Sequence, residues 1–472
     1  VTKLEILYQL EDWEYCTNPK LNKIRNRNPF AGLCSCIEHY DFTAMKILFN
    51  LLAKMTGGPS ISKQGARSLI LWSYLSGPDP SLLAPYIYPL WTAGASYLPM
   101  KLSPNLVTIT GFTLILILYG VVWHQCGIDC AQQDEYEQFA YWLYPLAAAL
   151  IWGYQTADAM DGRQGKRVGM YVHPSTELFD HGVDGVVTSI SGITSVALLG
   201  LGSEYWGVLH LCCLWSMFYL TTHEHLTHGK ITFSAGASNP TEGLVGVVVT
   251  FIALGLYPRF LETVVFDVPY HLKLKHCLVL SELATVVLTM TKNMSRMVLE
   301  TDYLRPNMSF RTAVTYYLPL ATTWIMAHFL LQDIGPDRSI FVGLSSCVNL
   351  AILQLIICEM TKSHFPSVAF AVSYLPGFCA VFVYGQVAVP YVVTVGLVRF
   401  AGRWLNFQRE LVHYCGMAGP MSVQVWPEDR PNEKRLNDKI VWLVDPTMDI
   451  SKGTDVKRDE LLIKRKHVEL LE

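Results

Sequence analysis

The chain has 472 residues, of which 51% are hydrophobic and only 16% charged, and its mean hydropathy is +0.28. Soluble globular proteins carry about 25% charged residues, so this sequence lacks the polar surface for several soluble domains, and it is too apolar to be disordered. A net charge of −3 gives no basis for nucleic-acid binding, and 12 cysteines at this length are too sparse for a disulfide scaffold. What remains is an all-α, polytopic integral membrane protein.

No basic n-region followed by an apolar h-region precedes the body of the sequence, so no signal peptide is expected. Up to about residue 100 the chain is mixed, and the segments Tyr40 to Met55 and Ser81 to Leu98 read as N-terminal interfacial helices. Ten apolar stretches of spanning length follow, at 104–124, 138–157, 183–202, 204–222, 241–258, 275–292, 312–331, 338–359, 366–385 and 386–402. With the N-terminus in the cytosol and the sides alternating, the loop His124 to Glu137 faces outward and has no Lys or Arg. Only Arg259, Lys273, Lys275 and Arg338, four of the 36 basic residues, then fall outside. The sequons at Asn293 and Asn307 fall on the cytosolic side and are expected to be unused. Cys126 and Cys130 share the outer loop and are within reach of one another; the other cysteines read as small packing residues.

One segment carries the chemistry: ADAMDGRQGKRVGMYVHPSTELFDHGVDG, Ala157 to Gly185. Asp158 and Asp161 are spaced i, i+3 at the end of the second span. Asp180 and Asp184 are spaced i, i+4 at the start of the third, with Glu177 one turn earlier. Each set projects from one helical face, and an antiparallel pair of helices brings the sets together. Five carboxylates cannot share a low-dielectric pocket unless something neutralises them. An all-oxygen ligand set favours Mg²⁺, in a number that allows two ions, with Mn²⁺ as a substitute. The competing reading is a surface network with Arg163, Lys166 and Arg167.

The pattern resembles the CDP-alcohol phosphotransferase signature, Asp-x-x-Asp-Gly-x-x-Ala-Arg followed by Gly-x-x-x-Asp-x-x-x-Asp. The run Glu177-Leu-Phe-Asp-His-Gly-Val-Asp184 is similar to the eukaryotic choline/ethanolamine phosphotransferase branch. So are Ser103-Pro-Asn-Leu-Val-Thr108 and Asn239-Pro-Thr-Glu-Gly243. The chain departs from the signature at Gly165-Lys166-Arg167, where the Ala-Arg is expected, and at Thr176, where the second motif has glycine. The resemblance implies a division into an N-terminal cytosolic and interfacial segment (1–102), catalytic helices (103–260), C-terminal transmembrane helices (261–402) and a charged cytosolic tail (403–472).

It also implies transfer of phosphocholine or phosphoethanolamine from CDP-choline or CDP-ethanolamine to diacylglycerol, with CMP released. Asp158, Asp161, Glu177, Asp180 and Asp184 are the expected metal ligands. Asn105, Gly162, Gly165, Lys166 and Arg167 are the expected donor contacts, with the arginine role falling to either Lys166 or Arg167. His181 is the expected general base, oriented by Glu242. The implied setting is a homodimer in the endoplasmic reticulum or Golgi membrane with its site facing the cytosol. A zinc reading of His223-Glu-His-Leu-Thr-His228 is weaker, because the outer histidines lack i, i+4 spacing. Two competitors are a synthase using CDP-diacylglycerol, which resembles a six-span core and lacks the histidine, and a cation transporter, for which no inverted repeat is evident.

Overall fold

Proline in the first helical turn, where a missing N–H costs nothing, fixes the start of several apolar segments. Pro104 follows Ser103, Pro174 follows His173, and Pro240 follows Asn239. The His173 ring and the Asn239 amide also cap their helices, accepting from the backbone N–H of Ser175 and Thr241. A computed structural model describes residues 61–70, 72, 80–170, 173–229, 239–267, 271–299 and 308–415. Tyr40 to Met55, Asn307 and the tail beyond 415 lie outside the described residues.

In chain order the helices are α1 (Lys63–Ile70), α2 (Ala84–Ser96), α3 (Pro104–Cys126), α4 (Tyr136–Val168), α5 (Pro174–Leu198), α6 (Tyr205–His228) and α7 (Pro240–Leu256). After a short antiparallel pair, β1 (Val264–Phe266) with β2 (Leu272–Lys273), come α8 (Leu274–Leu299), α9 (Phe310–Thr315), α10 (Leu318–Asp333), α11 (Arg338–Met360), α12 (Ser367–Tyr384) and α13 (Val389–Cys415). Each apolar stretch of the sequence coincides with helix. The stretch 312–331 is divided at Tyr316 and Tyr317 into α9 and α10. By length and hydropathy, four helical segments among the described residues suffice to cross a bilayer: Pro104–Gln132, Leu274–Leu299, Arg338–Met360 and Ser367–Val387. Two boundaries move in a way that matters. The DGRQGKR segment beyond the stretch 138–157 is the last part of α4, and α5 begins well before residue 183.

α5 is the shared wall of two cores. Phe179, Val183 and Val187 pack with Leu118, Phe139, Tyr144 and Phe251 from α3, α4 and α7. Leu178, Ile193 and Val196 pack with Trp215, Leu344, Leu355 and Phe407 from α6, α11 and α13. The apolar stretch of α11 is 83% buried, whereas those of α8 and α12 are 22% and 17% buried and present Leu288, Phe382 and Val383 outward. Such an apolar exterior suits lipid rather than water. α2 likewise buries Trp91 and Ala95 and exposes Tyr86 and Leu90, as an interfacial helix does.

At the end of the bundle away from the acid motif, Lys275 is 3% exposed and lies 3.0 Å from Glu204 and 2.9 Å from Glu262. Its Nζ also donates to the Gly200 carbonyl at 2.6 Å. Burial pushes the Glu262 carboxyl up, but hydrogen bonds from Lys273 and Lys275 outweigh it and hold Glu262 below its ordinary value. Cys126 and Cys130 form a disulfide in the neighbouring loop, where Asp129 accepts from the backbone N–H groups of Ala131 and Ser203. Burial raises the Asp129 carboxyl despite the contact with Ser203.

Close approach of helices relies on missing side chains. A Cβ on Gly182 of α5 would meet Trp404 of α13 at 2.5 Å. Gly182→Ala is therefore expected to displace Trp404 and destabilise the protein by about 1–3 kcal/mol. Thermal unfolding in lipid nanodiscs checks this, and Trp404→Leu in the same chain should recover much of the loss.

Candidate active site

α4 holds helical geometry through Asp158 and Asp161 to Val168, and Gly169, at φ +75°, turns the chain toward α5. Carboxylate oxygens of Asp158, Asp161 and Asp180 lie within 4.8 Å of one another. Asp161 is 2% exposed, and its Oδ2 accepts from the Thr108 hydroxyl of α3. Asp184 accepts from the Tyr154 hydroxyl at 2.7 Å and lies in hydrogen-bonding contact with Asp158. All four aspartates expected as ligands thus gather where α4 meets α5.

The basic residues of the same motif go elsewhere. Arg163 donates to the Thr92 hydroxyl at 3.0 Å and its guanidinium lies 4.8 Å from the Tyr88 ring centre. Arg167 donates to the carbonyls of Ala95, Ser96 and Leu98 and to the Gln164 side chain. Lys166 is exposed. Among the described residues no Lys or Arg forms an ion pair with Asp158, Asp161, Asp180 or Asp184, so the surface-network reading loses its cations. Converging carboxylates with no Lys or Arg paired to them among the described residues are an oxygen-donor set that fits a hard divalent cation.

Glu177 stands with histidines rather than in that group. Its Oε1 is 2.8 Å from His181 Nδ1, one turn along α5, and 3.7 Å from His225 Nδ1 of α6. Glu242 is placed differently from the expectation that it orients His181. Its Oε1 accepts from the Ser81 hydroxyl at 2.9 Å and from the backbone N–H of Leu82 and Leu83 at 2.5 and 3.3 Å. The reason is local: Asn239 and Pro240 start α7 just before it, and the carboxylate ties the chain entering α2 to that helix end. The carboxylate on His181 is Glu177.

Asn105 is fully buried at the start of α3, one turn from Thr108. A Cβ on Gly162 would meet nothing within 4 Å, so the backbone there borders open space. Gly165 is buried, its carbonyl accepting from Met170 N–H at 2.8 Å. Gln164 donates to the carbonyls of Pro99 and Leu102, both at 2.9 Å, and anchors the turn before α3.

Sequence reasoning missed Thr108, Tyr154 and His225. Thr108 was legible as the residue i+3 from Asn105, but nothing in the sequence aims Tyr154 or His225 at the acids. The three histidines of HEHLTH diverge: His223 bonds the Ala313 carbonyl at 3.0 Å and stacks on Tyr317, His228 bonds Thr227, and only His225 faces Glu177.

No profile of a known protein family matches the chain. It is 31% identical to a cholinephosphotransferase of Saccharomyces cerevisiae over 199 residues, 42% of this chain and 48% of that protein. A choline/ethanolaminephosphotransferase of the same yeast is 26% identical over 369 residues, 72% of this chain and 88% of that protein. A cholinephosphotransferase of Gallus gallus is 31% identical over 198 residues, 42% of this chain and 55% of that protein. The chain thus spans about half the length of most of these relatives and nearly all of one. With its signature acids folded into one cluster, the chain is similar to these cholinephosphotransferases and choline/ethanolaminephosphotransferases.

Proposed function

We propose that the protein is a membrane-embedded phosphotransferase that moves phosphocholine or phosphoethanolamine from the CDP-alcohol to diacylglycerol and releases CMP. The observation that carries this reading is the convergence of Asp158, Asp161 and Asp180 within 4.8 Å, beside a histidine held by a carboxylate. The chain crosses the bilayer ten times with its site on the cytosolic face of an endoplasmic reticulum or Golgi membrane, and it works as a homodimer. The charge asymmetry of the loops supports the cytosolic orientation, and the names of its relatives support the transfer reaction.

Asp158, Asp161, Asp180 and Asp184 hold Mg²⁺, as two ions, or Mn²⁺ in its place. When bound, the metal neutralises the donor pyrophosphate and the departing CMP. Lys166 takes the phosphate-binding role, since Arg167 is committed to the carbonyls after α2. Asn105 and the open backbone at Gly162 receive the nucleotide. With Glu177 on its Nδ1, His181 carries that proton there and its basic lone pair on Nε2. Nε2 takes the proton of the diacylglycerol hydroxyl as its oxygen attacks the phosphorus that bears the alcohol. The phosphoanhydride bond breaks and CMP leaves with the electron pair.

The test is purified protein in lipid with diacylglycerol and radiolabelled CDP-choline competing with CDP-ethanolamine. CMP release that requires both Mg²⁺ and diacylglycerol is expected. Asp180→Asn should lower transfer by about 100-fold or more, and His181→Ala by about 10²–10⁴-fold. Retained turnover in His181→Ala removes the base. CMP release from CDP-diacylglycerol with a small alcohol, or ion flux without CMP, overturns the proposed reaction.

Glu177→Gln separates an orienting carboxylate from a metal ligand. It is expected to lower kcat by about 10-fold or more while leaving the Mg²⁺ dependence and the KM for the CDP-alcohol near wild type. A shifted Mg²⁺ requirement would place Glu177 among the metal ligands instead.

A further inference from the structure

Next to the aspartates lies a second donor set of different chemistry. Donor atoms of Glu177, His181 and His225, one from each, lie within 4.8 Å of one another, contributed by α5 and α6, with Glu177 Oε1 2.8 Å from His181 Nδ1 and 3.7 Å from His225 Nδ1. Glu177 and His225 are both buried. Oxygen-only sets select Mg²⁺, whereas two imidazoles with one carboxylate suit zinc in a four-coordinate site. The far nitrogen of His225 is also provided for: its Nε2 is 4.0 Å from Glu359 Oε1 of α11. Glu359 is itself fixed by the Trp72 indole N–H at 2.8 Å and by Lys362. A carboxylate behind a ligating histidine is the arrangement that orients the ring and strengthens its bond to a metal.

We propose that Glu177, His181 and His225 form an inhibitory zinc site, with Glu359 as the carboxylate behind His225. Zinc takes the His181 Nδ1 position that faces Glu177, and the ring's single proton passes to Nε2. The inhibition, though not the binding, rests on the role of His181 given above. With its Nδ1 lone pair on Zn²⁺ and its proton on Nε2, the ring has no lone pair to take the hydroxyl proton, so transfer stops while the aspartates keep Mg²⁺. The sequence motif HEHLTH thus contributes one histidine to zinc, and the partners of that histidine come from another helix.

The test uses the full chain in nanodiscs with Mg²⁺ saturating. Zinc affinity is measured by chelator competition, and Co²⁺ is added to zinc-free protein as a spectroscopic probe. Wild type is expected to show the intense visible absorption of four-coordinate Co²⁺ and to lose CMP release as zinc binds. His225→Ala should weaken zinc binding by about 100-fold and Glu359→Gln by about 10-fold, with inhibition shifting in parallel. Unchanged zinc affinity in His225→Ala, or only the weak spectrum of six-coordinate Co²⁺ in wild type, overturns the site. His225→Gln, which keeps a polar side chain of similar reach, is carried alongside in case the alanine variant fails to fold. Zinc-insensitive CMP release overturns this site alone; zinc bound at His225 with no CMP release under any donor overturns the transfer reaction alone.

Discussion

The interaction on which the site depends is repulsion: carboxylates from two helices are held within 4.8 Å in a chain with little charge to offset them. Like charges in a low-dielectric setting will not stay together without a rigid frame and a counter-charge. The frame is visible. α4 is a single helix from Tyr136 to Val168, so Asp158 and Asp161 ride on a rod anchored by Phe139, Leu143 and Tyr144 in the core. α5 is clamped between two cores, so Asp180 and Asp184 have no freedom to separate from their partners.

The polar contacts around the acids continue the same work. Arg163, Gln164 and Arg167 each reach from α4 to the 92–102 segment, and Glu242 holds the 81–83 backbone. Together they fasten α2 across the end of α4, with Trp91 donating to Thr156 at 3.3 Å. Thr108 and Tyr154 hold single aspartates in place, from α3 and α4. The flanking sequence motifs are thus largely devices for joining helix ends, and the short SPNLVT and NPTEG runs earn their regularity by capping and anchoring.

Much of this was legible in the sequence, and the reasons differ residue by residue. Apolar runs located the helices, and the i, i+3 and i, i+4 spacings placed the aspartates on common faces. The continuation of the helix from Gly162 to Val168 was not expected, because glycines and charges are poor helix signals, while the packing of Gln164 and Gly165 keeps the helix going. Partner choice was the less legible part. The sequence reading puts Glu242 beside His181 and Glu177 among the metal ligands, but Glu177 lies one helical turn from His181 and Glu242 is taken up by the backbone of 82 and 83. His225 was invisible for a related reason: its partners are set by how α6 crosses α5, which no local spacing records.

The two ends of the bundle show what separates a reactive acid cluster from a structural one. Glu204 and Glu262 share the buried Lys275, and Lys273 adds a second cation to Glu262. Their charge is met inside the protein and nothing is left for a ligand. At the other end Arg163 and Arg167 sit on the same helix as Asp158 and Asp161, close enough in sequence to neutralise them, yet both are drawn away by α2. Removing cations from acids costs stability, and α2 offsets that cost with aromatic faces and carbonyls that receive the guanidinium groups. The placement of the arginines, more than the number of aspartates, leaves the carboxylate cluster without an arginine partner.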